Sequence, residues 1–244
     1  MTKSFLIQRL GNKTNDIKFF KHLLPKEGIK NVVEPFGGSF AVIRNEYKDD
    51  KYKKYVNDSD NNLYYVYTHI EELIEGFNLT NDIFKENISL KEKKEKTKNL
   101  NINDKIKKYI IETVCVGPFI KTKNIDNTED DKNFIKSINF TNEDAFKIID
   151  DHKYNKNTFI FLDPPYLFSD NSTYEQQQGE ADMTEFIFKF LNVLKDKKVK
   201  AKIMLVINSL SILKSIYKDF IKCEYVKIYQ IAKKKMPHIV ICNY

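Results

Sequence analysis

The segment that most restricts how this chain can fold is Thr158-Phe159-Ile160-Phe161-Leu162, a continuous apolar run with no charged side chain. It is too short for an ordinary helix and rich in aromatic and β-branched residues. It therefore reads as a strand buried on both faces, the environment of an inner strand in a sheet covered by helices. Asp163-Pro164-Pro165-Tyr166 follows at once, and two prolines without N–H groups end the strand there. Its partners lie upstream. A helix is predicted over Asp16–Leu24, ending before Pro25. Lys30–Glu34 reads as a strand, Phe36-Gly37-Gly38-Ser39 as a turn, and the stretch to Tyr47 as a helix. Tyr52–Val56, Asn57-Asp58-Ser59-Asp60 and Asn61–Gly76 repeat the order strand, turn, helix. This alternation predicts an α/β fold with a parallel sheet.

The pattern changes between residues 80 and 136. Helices are predicted at Asp82–Lys98 and Asp104–Thr113, with no parallel strand, so 80–136 reads as an insertion between two parts of one sheet domain, 1–79 and 137–244. Beyond it, Glu143–Asp150 reads as a helix, Leu167–Ala181 as a polar loop, and a helix starts at Asp182 with Glu185 in capping-box position. Strands are predicted at Lys202–Ile207, Glu224–Ile231 and His238–Cys242, the last two as an antiparallel hairpin.

Composition excludes several classes. No apolar run reaches the roughly 18 residues of a membrane helix, and residues 1–10 carry no secretion-signal pattern. Cys115, Cys223 and Cys242 are odd in number and widely spaced, which suits reduced thiols and an intracellular, cytoplasmic protein. No Cys/His cluster has metal-ligand spacing, so no metal is expected. With 41 basic and 34 acidic residues the net charge is +7, which fits a polyanionic partner and equally an A/T-rich genome that favours Lys codons. Between Lys85 and Lys108, nine lysines face four acids, a local net of +5. This stretch could follow phosphates or simply form a solvated helix face. Arg9 and Arg44 are the only arginines. Arginine makes the commonest specific contact to guanine, so any base reading would rest on Lys, Asn and Gln and lean toward a short or A/T-rich site.

Two constellations carry chemistry. Asp163-Pro164-Pro165-Tyr166 lies at the carboxyl edge of the sheet, where open α/β folds bind ligands. It presents a carboxylate and carbonyls as a rigid acceptor set, with an aromatic face beside them, which suits an exocyclic amine; a plain strand-ending turn is the competing reading. Glu34-Pro35-Phe36-Gly37-Gly38-Ser39 is a glycine turn that lacks the Gly-Lys-Ser/Thr of a phosphate loop. Asp58, about 20 residues later, stands where an acid binds ribose hydroxyls or caps the next helix, and Asp60 suits the capping role better.

Together these segments resemble the Dam-like, D12 class of DNA N6-adenine methyltransferases. Glu34-Pro35-Phe36-x-Gly38 is similar to the family's methyl-donor loop and Asn57-Asp58 to its ribose turn. Asn142-Glu143-Asp144-Ala145-Phe146 is similar to its Asn-x-Asp-Phe segment, Leu162–Tyr166 to its catalytic motif, and Leu205–Tyr217 and Ile239–Tyr244 to its later elements. The donor loop precedes the catalytic motif by about 125 residues with a variable region between, which is the motif order of this class. Two positions depart: Arg9 replaces a tryptophan in the segment that ends at Lys13, and Phe40 replaces a second glycine.

The resemblance implies a Rossmann-like S-adenosylmethionine-dependent methyltransferase sheet, with 80–136 as a target-recognition subdomain. It implies Asp163, Pro164, Pro165 and Tyr166 as catalytic residues. Arg9, Lys13, Glu34, Pro35, Phe36, Gly38, Asp58, Asp144, Ala145 and Asp163 would hold S-adenosyl-L-methionine. Double-stranded DNA with a flipped-out adenine is the implied substrate, a cognate restriction endonuclease a candidate partner, and Phe168 and Tyr174 part of a candidate lid. The alternatives are methylation of RNA or guanine N2, and an inactive donor- or DNA-binding relative.

Overall fold

The computed structural model describes residues 6–7, 13–114, 128–165, 180–229 and 234–244. Its sheet has seven strands: β1 (Asn31–Glu34), β2 (Lys53–Asn57), β3 (Ile138–Thr141), β4 (Thr158–Leu162), β5 (Lys202–Asn208), β6 (Ile221–Tyr229) and β7 (Lys234–Cys242). They lie in the order β3-β2-β1-β4-β5-β7-β6. The first five run parallel, with Val33 beside Ile160 and Leu162 beside Leu205. β7 enters antiparallel between β5 and β6, placing His238 beside Asn208. This is the order of a Rossmann-like methyltransferase sheet, and strand order reverses between β1 and β4, so their carboxyl ends open a crevice.

Alternation along the central strands builds two apolar layers. Val32, Val56, Phe159, Phe161, Met204 and Val240 face one side. Val33, Ile160, Leu162, Ile203, Leu205 and Ile239 face the other. The first side is covered by α1 (Ile17–Phe20), α2 (Ala41–Glu46), α3 (Asn61–Thr68), α4 (Ile70–Lys85), α5 (Leu90–Lys98), α6 (Asp104–Val114) and α7 (Thr128–Lys136). The second is covered by α8 (Ala145–His152), α9 (Glu180–Lys195) and α10 (Ser211–Ile216). Phe84, Ile106, Ile110 and Phe134, which lie in the 80–136 stretch, join the same apolar layer as Val32 and Phe159.

Several local expectations are corrected. The helix expected over Asn61–Gly76 breaks at His69 (φ −122°, ψ 53°) and resumes through Lys85. Thr68 Oγ1 donates to the carbonyls of Tyr64 and Tyr65, and the His69 ring nitrogen lies 3.0 Å from the Tyr65 carbonyl, so side chains compete with the backbone ladder. Gly76 lies inside α4: a Cβ there would sit 2.8 Å from Ile106 and 2.9 Å from Ile110, so the glycine admits α6. The helix expected over Asp82–Lys98 stops at Lys85 and restarts at Leu90, where Ser89 and Glu92 form a capping box. Strand β3 was not expected, and α9 starts at Glu180, so Asp182 lies within it and is not its cap. α1 is one turn followed by a 3₁₀ turn, Lys21–Leu23.

Candidate active site

The site grows from the carboxyl ends of β1, β2, β3 and β4. At the end of β1, Gly37 is forced by close approach: a Cβ would stand 2.5 Å from Val56 Cγ1 and 2.9 Å from the Asn57 carbonyl, which accepts the Gly37 N–H at 2.7 Å. Gly38 adopts φ +51°, open to glycine at no steric cost. Its N–H donates to Asp58 Oδ2 at 2.9 Å, and its carbonyl accepts the Tyr67 hydroxyl at 2.6 Å. Asp58 Oδ1 accepts the Asp60 N–H, and Asp60 in turn caps α3 through the Asn62 and Leu63 N–H groups. Asp58 thus ties the glycine turn to the end of β2.

Asn57 joins three loops. Its Nδ2 donates to the carbonyls of Pro35 and Glu143, and its Oδ1 accepts from Thr141 Oγ1 and the Glu143 N–H. Buried and fully bonded, it fixes the spacing between the ends of β1, β2 and β3. The only sequence signal for this role is an asparagine at the end of a predicted strand. Asp144 caps α8 through the Phe146 and Lys147 N–H groups, both on Oδ1.

Glu34 lies deeper. It is buried, and its Oε1 accepts the Ile43 N–H at 2.6 Å, supplying the cap that Phe40, the residue before α2, does not. Burial pushes its carboxyl up to about 8, against the pull of the Ile43 and Val42 N–H groups, and the nearby Asp163 adds to the rise.

At the end of β4, Asp163 pairs with Lys13, Nζ to Oδ1 at 2.5 Å, where the lysine is 3% exposed and the aspartate 21%. Burial raises the Asp163 carboxyl above its ordinary value and Lys13 opposes the rise. Lys13 is set by the start of α1, its carbonyl accepting the Asp16 and Ile17 N–H groups. Beside it, His238 is fully buried, stacks on Tyr225 at 5.1 Å and is held near 4 by burial and the Lys13 charge, so it is neutral at pH 7. Arg44 is half-buried and donates to Thr14 at 2.6 Å.

A cavity of about 220 Å³ opens between these ends. Pro35, Phe36, Asp58, Asp144, Ala145 and Pro164 line it, so six residues expected from sequence meet there. Lys13, Glu34, Gly38, Asp163 and Pro165 do not line it; Glu34 and Gly38 shape the β1 turn and Lys13 pairs with Asp163. Arg9, Tyr166, Phe168 and Tyr174 lie outside the described residues. Asn57, Ser59 and Phe146, from the segments already singled out, also line it, and Glu185, Phe186 and Lys189 of α9 do so without having been foreseen. Phe186 contacts the rings of Phe36 at 5.7 Å and Phe146 at 5.4 Å. Among the described residues no group of three metal-binding side chains occurs, and no helix is long and apolar enough to cross a membrane.

Among solved structures, the chain is similar to one titled "delta-N METTL16 MTase domain", with 9% identity and a TM-score of 0.46 over 95% of this chain and 82% of that one. No curated protein sequence matches it. The family model described as D12 class N6 adenine-specific DNA methyltransferase matches residues 10–114 and 116–236, which include every described element of the cavity. The chain belongs to the D12 class of N6 adenine-specific DNA methyltransferases.

Proposed function

We propose that the protein transfers a methyl group from S-adenosyl-L-methionine to N6 of an adenine flipped out of duplex DNA. The observation that carries this reading is the cavity: donor-side residues Asp58, Asp144 and Ala145 share one opening with Pro164 of the catalytic turn. The residues fit the donor. Phe36, Phe146 and Phe186 offer ring faces for a base, and Asp58 brings a carboxylate to the same cavity, a group that accepts from ribose hydroxyls. The donor, when bound, supplies an electrophilic methyl group on a sulfonium.

The chain's own groups act on the amine. Its lone pair is delocalised into the ring, so both amino protons must be drawn into hydrogen bonds for nitrogen to attack. Asp163 accepts one, and the Pro164 carbonyl, in a turn without competing N–H donors, accepts the other. Lys13, paired with Asp163, opposes the rise that burial imposes on its carboxyl. As the new N–C bond forms the methyl–sulfur bond breaks, its electron pair leaving with the neutral thioether product, and nitrogen gives up one proton through Asp163 toward solvent. Tyr166 supplies a stacking face that offsets part of the cost of unpairing the base, which amounts to a few kcal/mol. Pro35, Phe36, Asp58, Asp144 and Ala145 hold the donor, Glu34 and Gly38 position the turn, Lys13 orients Asp163, and Arg9 is assigned a further donor contact. Helices in 80–136 approach the DNA, and the enzyme works inside the cell, alone or beside a restriction endonuclease that cuts the same site.

Labelled methyl incorporation tests the reading. Duplex DNA should be labelled and RNA not, and Asp163→Ala should reduce transfer by a factor of about 100 or more. Equal labelling by Asp163→Ala would remove Asp163 from the chemistry, and labelling of RNA alone would overturn the substrate.

A further inference from the structure

Helix α9 belongs to none of the strand-end segments, yet three of its residues, Glu185, Phe186 and Lys189, line the cavity. Phe186 is buried and joins Phe36 to Phe146, making a continuous aromatic wall from the end of β1 to the start of α8. Lys189 Nζ lies 5.5 Å from the centre of the Phe146 ring and 2.7 Å from Glu185 Oε1. The pair is therefore placed along the wall where a flat base would lie. An exposed pair at i,i+4 adds little to stability, so stability alone gives no reason for this placement. Asp144 Oδ1 is already occupied by two N–H groups of α8. An adenine edge needs both an acceptor for its amino group and a donor for a ring nitrogen, and Glu185 and Lys189 are one of each.

We propose that α9 forms the base end of the donor site, with Phe186 as its wall and Glu185 and Lys189 as a rim that selects the donor by its adenine edge. This rests on the cavity being the donor site. Glu185 accepts from the amino group while Lys189 donates to a ring nitrogen, so both are specificity residues remote from the methyl transfer.

Calorimetric titration with S-adenosylhomocysteine, adenosine and purine riboside, which lacks the amino group, separates the possibilities. Lys189→Met should weaken S-adenosylhomocysteine and adenosine by the same factor, about three- to tenfold, because the loss sits at the base they share. Glu185→Gln should weaken adenosine more than purine riboside. Both side chains are exposed, so thermal unfolding of the variants should match wild type. If wild type binds S-adenosylhomocysteine and both variants bind it within twofold, or if the loss appears for S-adenosylhomocysteine but not adenosine, the rim does not read the base. If wild type binds none of the three ligands, the donor reading of the cavity fails and this assignment with it.

Discussion

Phe40 occupies a backbone conformation that suits glycine, φ +37°, at the position where many members of the family carry one. Left-handed backbone costs a residue with a Cβ about 1–2 kcal/mol. The ring offsets this, since it is fully buried and meets Tyr67, Phe134 and Phe140 at centroid distances of 5.7, 6.4 and 5.9 Å. Removing such a ring costs about 3–5 kcal/mol, so packing outweighs strain. Urea denaturation should find Phe40→Gly destabilised by about 2–3 kcal/mol, and Phe40→Ala worse than Phe40→Gly by about 1 kcal/mol because alanine keeps the strain. Equal stability of the two variants would mean the backbone relaxes away from the left-handed region. The sequence marked Phe40 as a departure; that it anchors the packing of α3, α7 and β3 on the turn required the fold.

At the scale of elements, α2 begins at a residue that cannot cap it and borrows a carboxylate from the end of β1. The Glu34 carboxyl stands near 8 in the fold and in the usual carboxylate range when unfolded, so the folded state binds the extra proton. The stability this gives is complete below the unfolded value and is lost as pH rises through about 8. The urea midpoint of wild type should therefore fall between pH 6 and pH 9, and Glu34→Gln, which keeps an acceptor for the Ile43 N–H, should flatten that slope. An unchanged slope would show that Glu34 is already ionised at pH 6. Elements whose side chains declare their own burial were legible in the sequence, β4 residue for residue and β1, β5 and β7 to within a few. β3 was not, because the alternation of Ile138-Asn139-Phe140-Thr141 covers only four residues with two apolar side chains, and its pairing is owed to the edge of β2. Gly76 read as a helix end because its role is set by α6, a partner distant in sequence. In the site, the strand-end motifs could be read because sheet topology fixes where they meet. Phe186 and Lys189 could not, since amphipathic spacing does not say which part of the sheet a helix covers.

For the whole molecule, the structure changes the meaning of the charge. Of the lysines between Lys85 and Lys108, Lys93 is buried and donates to the Phe84 carbonyl at 2.9 Å. Lys85, Lys98 and Lys107 pair with Asp82, Glu95 and Asp104 at 3.1, 2.8 and 3.0 Å. Such pairs, whose acids are exposed, add little to stability, and in the proposed function they open toward phosphates, which favours sequence-independent attraction over base reading. Arg44 is bonded to Thr14 and Arg9 is assigned to the donor, so in the proposed function neither arginine serves a guanine contact. In the proposed function this surface acts together with the cavity, read as the donor site, and with the Asp163-Pro164-Pro165 turn, read as the amine acceptor, at the β1–β4 crevice. Mapping N6-methyladenine in DNA from cells that express the protein, beside cells that express Asp163→Ala, tests that whole most directly. Methylated adenines should gather at one short, A/T-leaning motif and be absent with Asp163→Ala. DNA without N6-methyladenine in wild-type cells, or marks that persist with Asp163→Ala, would contradict it.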